Sequence, residues 1–251
     1  MWHGCIAMNQ LALAQPPQPF SLGRRSSQAE VMDGPEVSAA DYGACLRDLA
    51  QVNRVTLTHR PVLRWLERQL GGARLDGPIV ILDVAFGQGD LLRAIAAWAQ
   101  ARGLKVKLKG IDLNPRSAQL ARAATPEGMD IDFHTGDVFT TVQTARPDFI
   151  VCSQFTHHLE DAEVVRFLQW ADETATRGWF ITDLERHAVA YFGFPILCAL
   201  AGWHDIVRRD GKVSIARSFR LAEWAELARR AGLEAQVEAR FPFRVAVSRL
   251  K

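Results

Sequence analysis

Apolar and polar positions change along the chain in blocks, and the rhythm of each block predicts an element. Leu46, Leu49 and Val52 recur at helical spacing behind two candidate caps, Ser38 and Asp41. Val62, Leu63, Leu66 and Leu70 repeat that spacing and stop at Gly71-Gly72. The rhythm then shortens. Pro78-Ile79-Val80-Ile81-Leu82-Asp83 is a continuous apolar run, the pattern of a parallel strand buried on both faces. Leu91, Leu92, Ile95, Ala96 and Trp98 give another helix, and a second strand follows near Val106–Asp112. Further strands are predicted near Ile131–His134, Asp148–Cys152, Trp179–Thr182, Ala235–Ala239 and Arg244–Ser248, with helices near Pro115–Ala123, Ala162–Thr174 and Leu221–Ala231. Arg208-Arg209-Asp210-Gly211 reads as an exposed turn, and Val213 to Phe219 as a short extended segment. The alternation predicts βαβ units, hence an α/β fold: a doubly wound, mostly parallel seven-stranded sheet preceded by N-terminal helices.

Two stretches stand apart. Residues 1–31 hold Pro16, Pro17, Pro19 and the basic pair Arg24-Arg25, with no sustained apolar period, and are expected to form a disordered tail. Met32 is then a candidate translation start, leaving residues 32–251 as one domain. A signal peptide is not expected, because the start is not basic and Asn9-Gln10 breaks the apolar stretch from Ile6 to Ala14. The second stretch, Ala188 to Trp203, is uncharged and almost wholly apolar. It is shorter than the roughly 20 residues of a spanning helix, and Gly193 and Pro195 interrupt it, so no membrane segment is expected. It reads either as a helix buried beneath the sheet or as an apolar lid.

Composition narrows the class. The chain has 251 residues, 48% hydrophobic and 23% charged, which excludes a wholly disordered or fibrous protein. Thirty basic against 28 acidic residues leave +2, which argues against a nucleic-acid partner. Cys5, Cys45, Cys152 and Cys198 form no CxxC pair, so neither a disulfide framework nor a structural zinc site is expected, and a cytoplasmic location fits.

The chemistry gathers at predicted strand ends, where doubly wound sheets bind ligands. Asp83-Val84-Ala85-Phe86-Gly87-Gln88-Gly89-Asp90 links the first strand to its helix, and its glycines allow close backbone approach. Gly110-Ile111-Asp112-Leu113-Asn114 ends the next strand, where an acid can accept both hydroxyls of a ribose. Gly136-Asp137-Val138 follows the third. Each has a plain alternative: a tight turn, a helix cap before Pro115, a turn aspartate. Their order and placement together favour a ligand site. A nicotinamide dinucleotide fits poorly, since the third glycine of its fingerprint is missing and Asp90 would repel a diphosphate.

With these motifs the chain resembles the class I S-adenosylmethionine-dependent methyltransferases, most closely the small-molecule branch that includes the ubiquinone and menaquinone biosynthesis enzymes. The family's acidic-x-Gly-x-Gly-x-Gly motif is matched by Asp83, Ala85, Gly87 and Gly89, with alanine in place of the first glycine and Phe86 where something small is usual. The resemblance implies a Rossmann-like methyltransferase fold and S-adenosyl-L-methionine as cofactor. It places Asp83 on the methionyl ammonium, Asp112 on the ribose and Asp137 on the adenine amino group, with Leu113, Val138 and Ser153 lining the pocket.

Methyl transfer to an oxygen is helped by a base, and histidine is the usual one. His158, in Thr156-His157-His158-Leu159 after the fourth strand, and His187, after the fifth, are the candidates. His157 is not expected to point inward. Arg186 is expected to pair with Glu185 on a solvated face, and Asp161 and Asp183 are expected to be helix caps or surface charges. No metal is expected. Tyr191, Phe192, Phe194 and Trp203 would offer apolar walls to a hydrophobic, phenolic or polyketide-like acceptor. O-methylation is the favoured reaction; a carbon methyltransferase of quinone biosynthesis and a non-catalytic cofactor-binding protein of the same fold are the alternatives.

Overall fold

The computed structural model describes residues 21–34, 36–72, 77–141 and 146–251. Two N-terminal helices come first. α1 (Ala39–Val55) starts where the Ser38 side chain accepts the Asp41 N–H, and α2 (Arg60–Leu70) carries Pro61 in its first turn and ends at Gly71. Strand and helix then alternate: β1 (Ile79–Val84), α3 (Asp90–Gln100), β2 (Val106–Asp112), α4 (Pro115–Ala124), β3 (Ile131–Thr135), β4 (Phe149–Ser153), α5 (Asp161–Thr174) and β5 (Gly178–Leu184). The chain closes with α6 (Ala188–Ala201), α7 (Asp205–Arg217), α8 (Leu221–Arg230), β6 (Gln236–Arg240) and β7 (Arg244–Leu250).

The seven strands lie in the order β3-β2-β1-β4-β5-β7-β6. The first five are parallel, and β7 runs antiparallel to β5 and β6. Alternate side chains sort the core into two layers. Phe149, Val151, Phe180 and Ala246 face Trp65 and Leu66 of α2 and Leu92 and Ile95 of α3. Ile150, Cys152, Ile181, Val245 and Val247 face Phe167 and Leu168 of α5 and Trp224 and Leu227 of α8. Each fully buried Phe, Leu, Ile or Val contributes about 1.5–3 kcal/mol of transfer free energy. The carboxyl ends of five adjacent parallel strands therefore share one edge, and strand order reverses between β1 and β4.

The structure corrects three readings of the C-terminal half. The segment expected to be a turn followed by an extended stretch is the single helix α7. Its buried positions Val207, Asp210, Ser214 and Ile215 keep helical spacing, which Gly211 obscures when read as a breaker. Gly211 is small for a packing reason: a Cβ there would lie 1.9 Å from Phe194 Cε1, so α6 seats its ring directly on the α7 backbone. Asp210 is buried, not exposed. Pro195 does not interrupt α6, which runs through it.

The expected tail needs the same treatment. Residues 1–20 lie outside the described residues, but 21–31 are fastened to the domain. Arg25 donates to the carbonyls of Arg217 (2.7 Å) and Leu159 (2.9 Å), pairs with Asp161 and lies over the Phe219 ring. Asp210 accepts the N–H groups of Val31 and Met32 at 2.9 and 2.8 Å. A chain starting at Met32 would lack Arg25 and Glu30, both of which contact the reaction end of the sheet.

Candidate active site

Three acidic residues stand where β1, β2 and β3 end. Asp83 is buried in β1, and the charges nearest it are acidic. Burial first, then Asp90 and Asp112, push its carboxyl well above the usual range. Asp112 ends β2 and cross-links two loops: Oδ2 accepts the Gly87 N–H at 2.9 Å and Oδ1 the Asn114 N–H at 2.8 Å. Burial raises Asp112 as well, against these two hydrogen bonds. Asp137, after β3, is half-buried and closes its own turn by accepting the Phe139 N–H.

The loop between β1 and α3 keeps its shape without the first glycine. Ala85 sits in the left-handed region (φ 59°), which costs a non-glycine residue about 1–2 kcal/mol, and its N–H is held by the Ile111 carbonyl at 2.8 Å. Gly89 is irreplaceable on two counts: φ is 75°, and a Cβ would lie 2.7 Å from the Phe133 ring. Phe86 turns into the core, its centroid 4.9 Å from that of Phe133, and fills the space left by Gly110. Around this loop, Leu113 is exposed, Val138 is buried against the second core layer, and the Ser153 hydroxyl at the end of β4 is buried with no hydrogen-bond partner among the described residues.

The reaction end is assembled differently from the expectation. The 3-10 turn Thr156–His158 follows β4, and it is His157 that points inward. Its Nδ1 lies 2.7 Å from Oδ1 of Asp183, and its Nε2 lies 3.5 Å from Glu30 Oε1. Asp183, expected as a cap or surface charge, is 1% exposed; it also accepts the His157 and Leu184 N–H groups and the Thr156 hydroxyl. Burial alone would lower His157, but the charge and hydrogen bond of Asp183, then those of Glu30, raise it to about 10. Asp183 is correspondingly held below the usual carboxylate range. His158 is partly exposed, with Nδ1 3.1 Å from Asp33 Oδ2 and Nε2 3.8 Å from Glu30 Oε1.

Residues 81–178 match the family model described as a methyltransferase domain. By this match the chain is similar to methyltransferases. Its fold is shared by solved structures of such enzymes. The plantazolicin methyltransferase BpumL, solved with a monoazolic desmethylPZN analog and S-adenosylhomocysteine, is 14% identical with a TM-score of 0.55, over 85% of this chain and 87% of its own. The magnesium protoporphyrin IX methyltransferase of Synechocystis PCC 6803, with S-adenosylhomocysteine, is 15% identical with a TM-score of 0.51, over 87% of this chain and 89% of its own. Human N-acetylserotonin methyltransferase, with S-adenosylmethionine, is 18% identical with a TM-score of 0.57, over 85% of this chain and 56% of its own. A comparison with curated proteins finds no match.

The remaining expected site residues fall into two groups. His187 caps α6, its Nδ1 accepting the Val189 N–H at 3.2 Å, and its ring stacks on Phe243. Arg186 does not pair with Glu185: its side chain is fully buried, donates to the Leu22 and Ser218 carbonyls and pairs with Glu223. On α6, Tyr191 is half-buried and Phe192 exposed, whereas Phe194, with Trp203 just beyond the helix, packs with Cys45, Cys198 and Val207. The helix is therefore not buried beneath the sheet. It leans on α7 and leaves Val189, Phe192, Ile196 and Leu200 open on one side. No helix among the described residues is long and apolar enough to cross a membrane.

The motifs left several neighbours unassigned. Asn53 of α1 donates to Asp90 at 2.9 Å and accepts from Gln154, tying α1 to both the first loop and the turn after β4. His59 Nε2 lies 3.1 Å from the same Asp90 carboxylate. Burial would raise Asp90, but these partners hold it below the usual range, so it is committed to structure. Glu30, Asp33 and Asp183 complete the set. All three lie far in sequence from the histidines they face.

Proposed function

We propose that this methyltransferase transfers a methyl group to an oxygen of a hydrophobic, phenol-like small molecule. The observation that carries the cofactor half is the buried Asp83 beside two other acids, an environment that an ammonium relieves. Asp83 would hold the methionyl ammonium and Asp112, whose carboxylate already accepts the Gly87 and Asn114 N–H groups and a hydrogen bond from Ser117, the ribose hydroxyls. Asp137 would meet the adenine amino group between Leu113 and Val138, and the orphaned Ser153 hydroxyl, with the backbone of Ala85, Gly87 and Gly89, would complete the pocket. When bound, S-adenosylmethionine supplies a methyl group on a sulfonium, electrophilic toward oxygen.

The apolar side of α6 supports a hydrophobic acceptor, with Tyr191 and Phe192 as its aromatic contacts. His158 is the better base. Its Nδ1 is oriented by Asp33 while Nε2 remains available to take the acceptor's proton, whereas His187 uses Nδ1 to cap α6. Much of the remaining rate would come from holding the acceptor in line.

The test is turnover on a panel of apolar phenols, with products identified by mass spectrometry and NMR. O-methylated product is expected, with kcat reduced roughly 100- to 10,000-fold in His158→Ala and little changed in His187→Ala. Product methylated on carbon would overturn the oxygen assignment. Unchanged turnover in His158→Ala would remove the base.

A further inference from the structure

Glu30, His157 and His158 each offer one ligand atom, and these atoms lie within 4.8 Å of one another. Glu30 comes from the segment before α1, and the two histidines from the turn after β4. We propose that these three side chains form a binding site for a divalent first-row transition ion, zinc by preference, with one coordination position left open. This deepens the reaction-end reading above, since it concerns the same histidines, but the binding itself can be tested without turnover.

The spacing carries the argument. Tetrahedral zinc with bonds of about 2.0–2.1 Å needs its ligand atoms about 3.3 Å apart. Glu30 Oε1 stands 3.5 Å from His157 Nε2 and 3.8 Å from His158 Nε2. Small shifts of His158, the more exposed of the three, would close the triangle.

The surroundings of the ligands support the same conclusion. A metal-binding histidine commonly donates its other ring N–H to a carboxylate, which fixes the ring and its tautomer. Both histidines have that arrangement: His157 Nδ1 lies 2.7 Å from Asp183, and His158 Nδ1 lies 3.1 Å from Asp33. The Ser214 hydroxyl donates to Glu30 Oε1 at 2.9 Å, so this carboxylate is also oriented from behind. Two imidazoles and one carboxylate with an open position form the donor set of catalytic zinc sites, as opposed to closed structural ones; on binding, the ion would displace to solvent the proton that His157 Nε2 directs at Glu30. The open position suits the oxygen of an acceptor. With the ion in place, that oxygen would be activated by coordination, its proton leaving to solvent, and His158 would serve as a ligand instead of a base.

The experiment titrates Co2+ and Zn2+ into the full chain after chelator treatment. Cobalt should give the intense visible d–d absorption of a four-coordinate complex at one ion per chain, and zinc should displace it. His158→Ala and Glu30→Ala should each weaken zinc binding at least 10-fold. Asp33→Asn, a change at an exposed side chain, should weaken it less. S-adenosylhomocysteine binding, measured on the same samples, reports that each variant is folded. Absence of a one-to-one cobalt complex, or zinc binding unchanged in both ligand variants, overturns the proposal. In that case a rate loss in His158→Ala would still support the base reading, so the two can fail separately.

Discussion

Replacing Asp183 with alanine is expected to destabilise the fold by about 3–5 kcal/mol, the range for removing one partner of a buried ion pair. Asp183 is 1% exposed and receives four donors: the Thr156 hydroxyl, the His157 and Leu184 N–H groups and the His157 ring. Alanine would strand all four in a site that water does not reach, next to an imidazole whose charge the carboxylate sustains. For a chain of this size each kcal/mol shifts Tm by about 2–4 °C, so thermal unfolding should fall by about 10 °C. Asp183→Asn keeps the shape and one acceptor oxygen, and its loss should be intermediate. A change below about 1 kcal/mol in Asp183→Ala would mean that the turn after β4 is held by something else.

The second large effect is on the cofactor. Asp112→Ala should weaken S-adenosylmethionine binding at least 100-fold while leaving the global fold intact. A hydrogen bond to a charged group contributes about 1.5–3 kcal/mol, and the carboxylate is assigned two of them to the ribose. The variant would also free the Gly87 and Asn114 N–H groups that Asp112 now holds, loosening the first loop and the start of α4. Calorimetric titration decides it. Asp137 is less buried and already closes its own turn, so Asp137→Ala should lose less. An Asp112→Ala affinity within threefold of wild type would reduce this residue to a cap.

How much of this was readable depends on how local each signal is. β1, β4 and β5 could be read from continuous apolar runs and β2 and β3 from shorter alternating ones, and their fixed order put Asp83, Asp112 and Asp137 on one edge. Phe86 looked like an obstruction in that reading, because a sequence does not show that Gly110 and Phe133 receive its ring. Of two adjacent histidines, the one not expected to point inward, His157, is the one that does. Asp183 decides that, through a contact between two neighbouring strand ends. α7 was missed because Gly211 imitates a turn when it is a seat for Phe194, and the packing side of α6 could not be read because a helix apolar all round declares no face. Glu30 was hidden by its place in a proline-bearing stretch that read as a tail.

The central claim is that the edge formed by β1, β2 and β3 binds the amine, ribose and base of S-adenosylmethionine. Asp83 tests it most directly, because its carboxyl is raised in the unliganded protein and would have to ionise to meet an ammonium. Binding should therefore release a proton, and affinity should rise with pH through the raised Asp83 pKa. S-adenosylhomocysteine, which carries the same ammonium, is titrated calorimetrically across that range in buffers of different ionisation enthalpy. Saturable one-to-one binding with proton release is expected, with loss of both the release and the pH dependence in Asp83→Asn. Absence of saturable binding, or binding with the same pH dependence in wild type and Asp83→Asn, would contradict it.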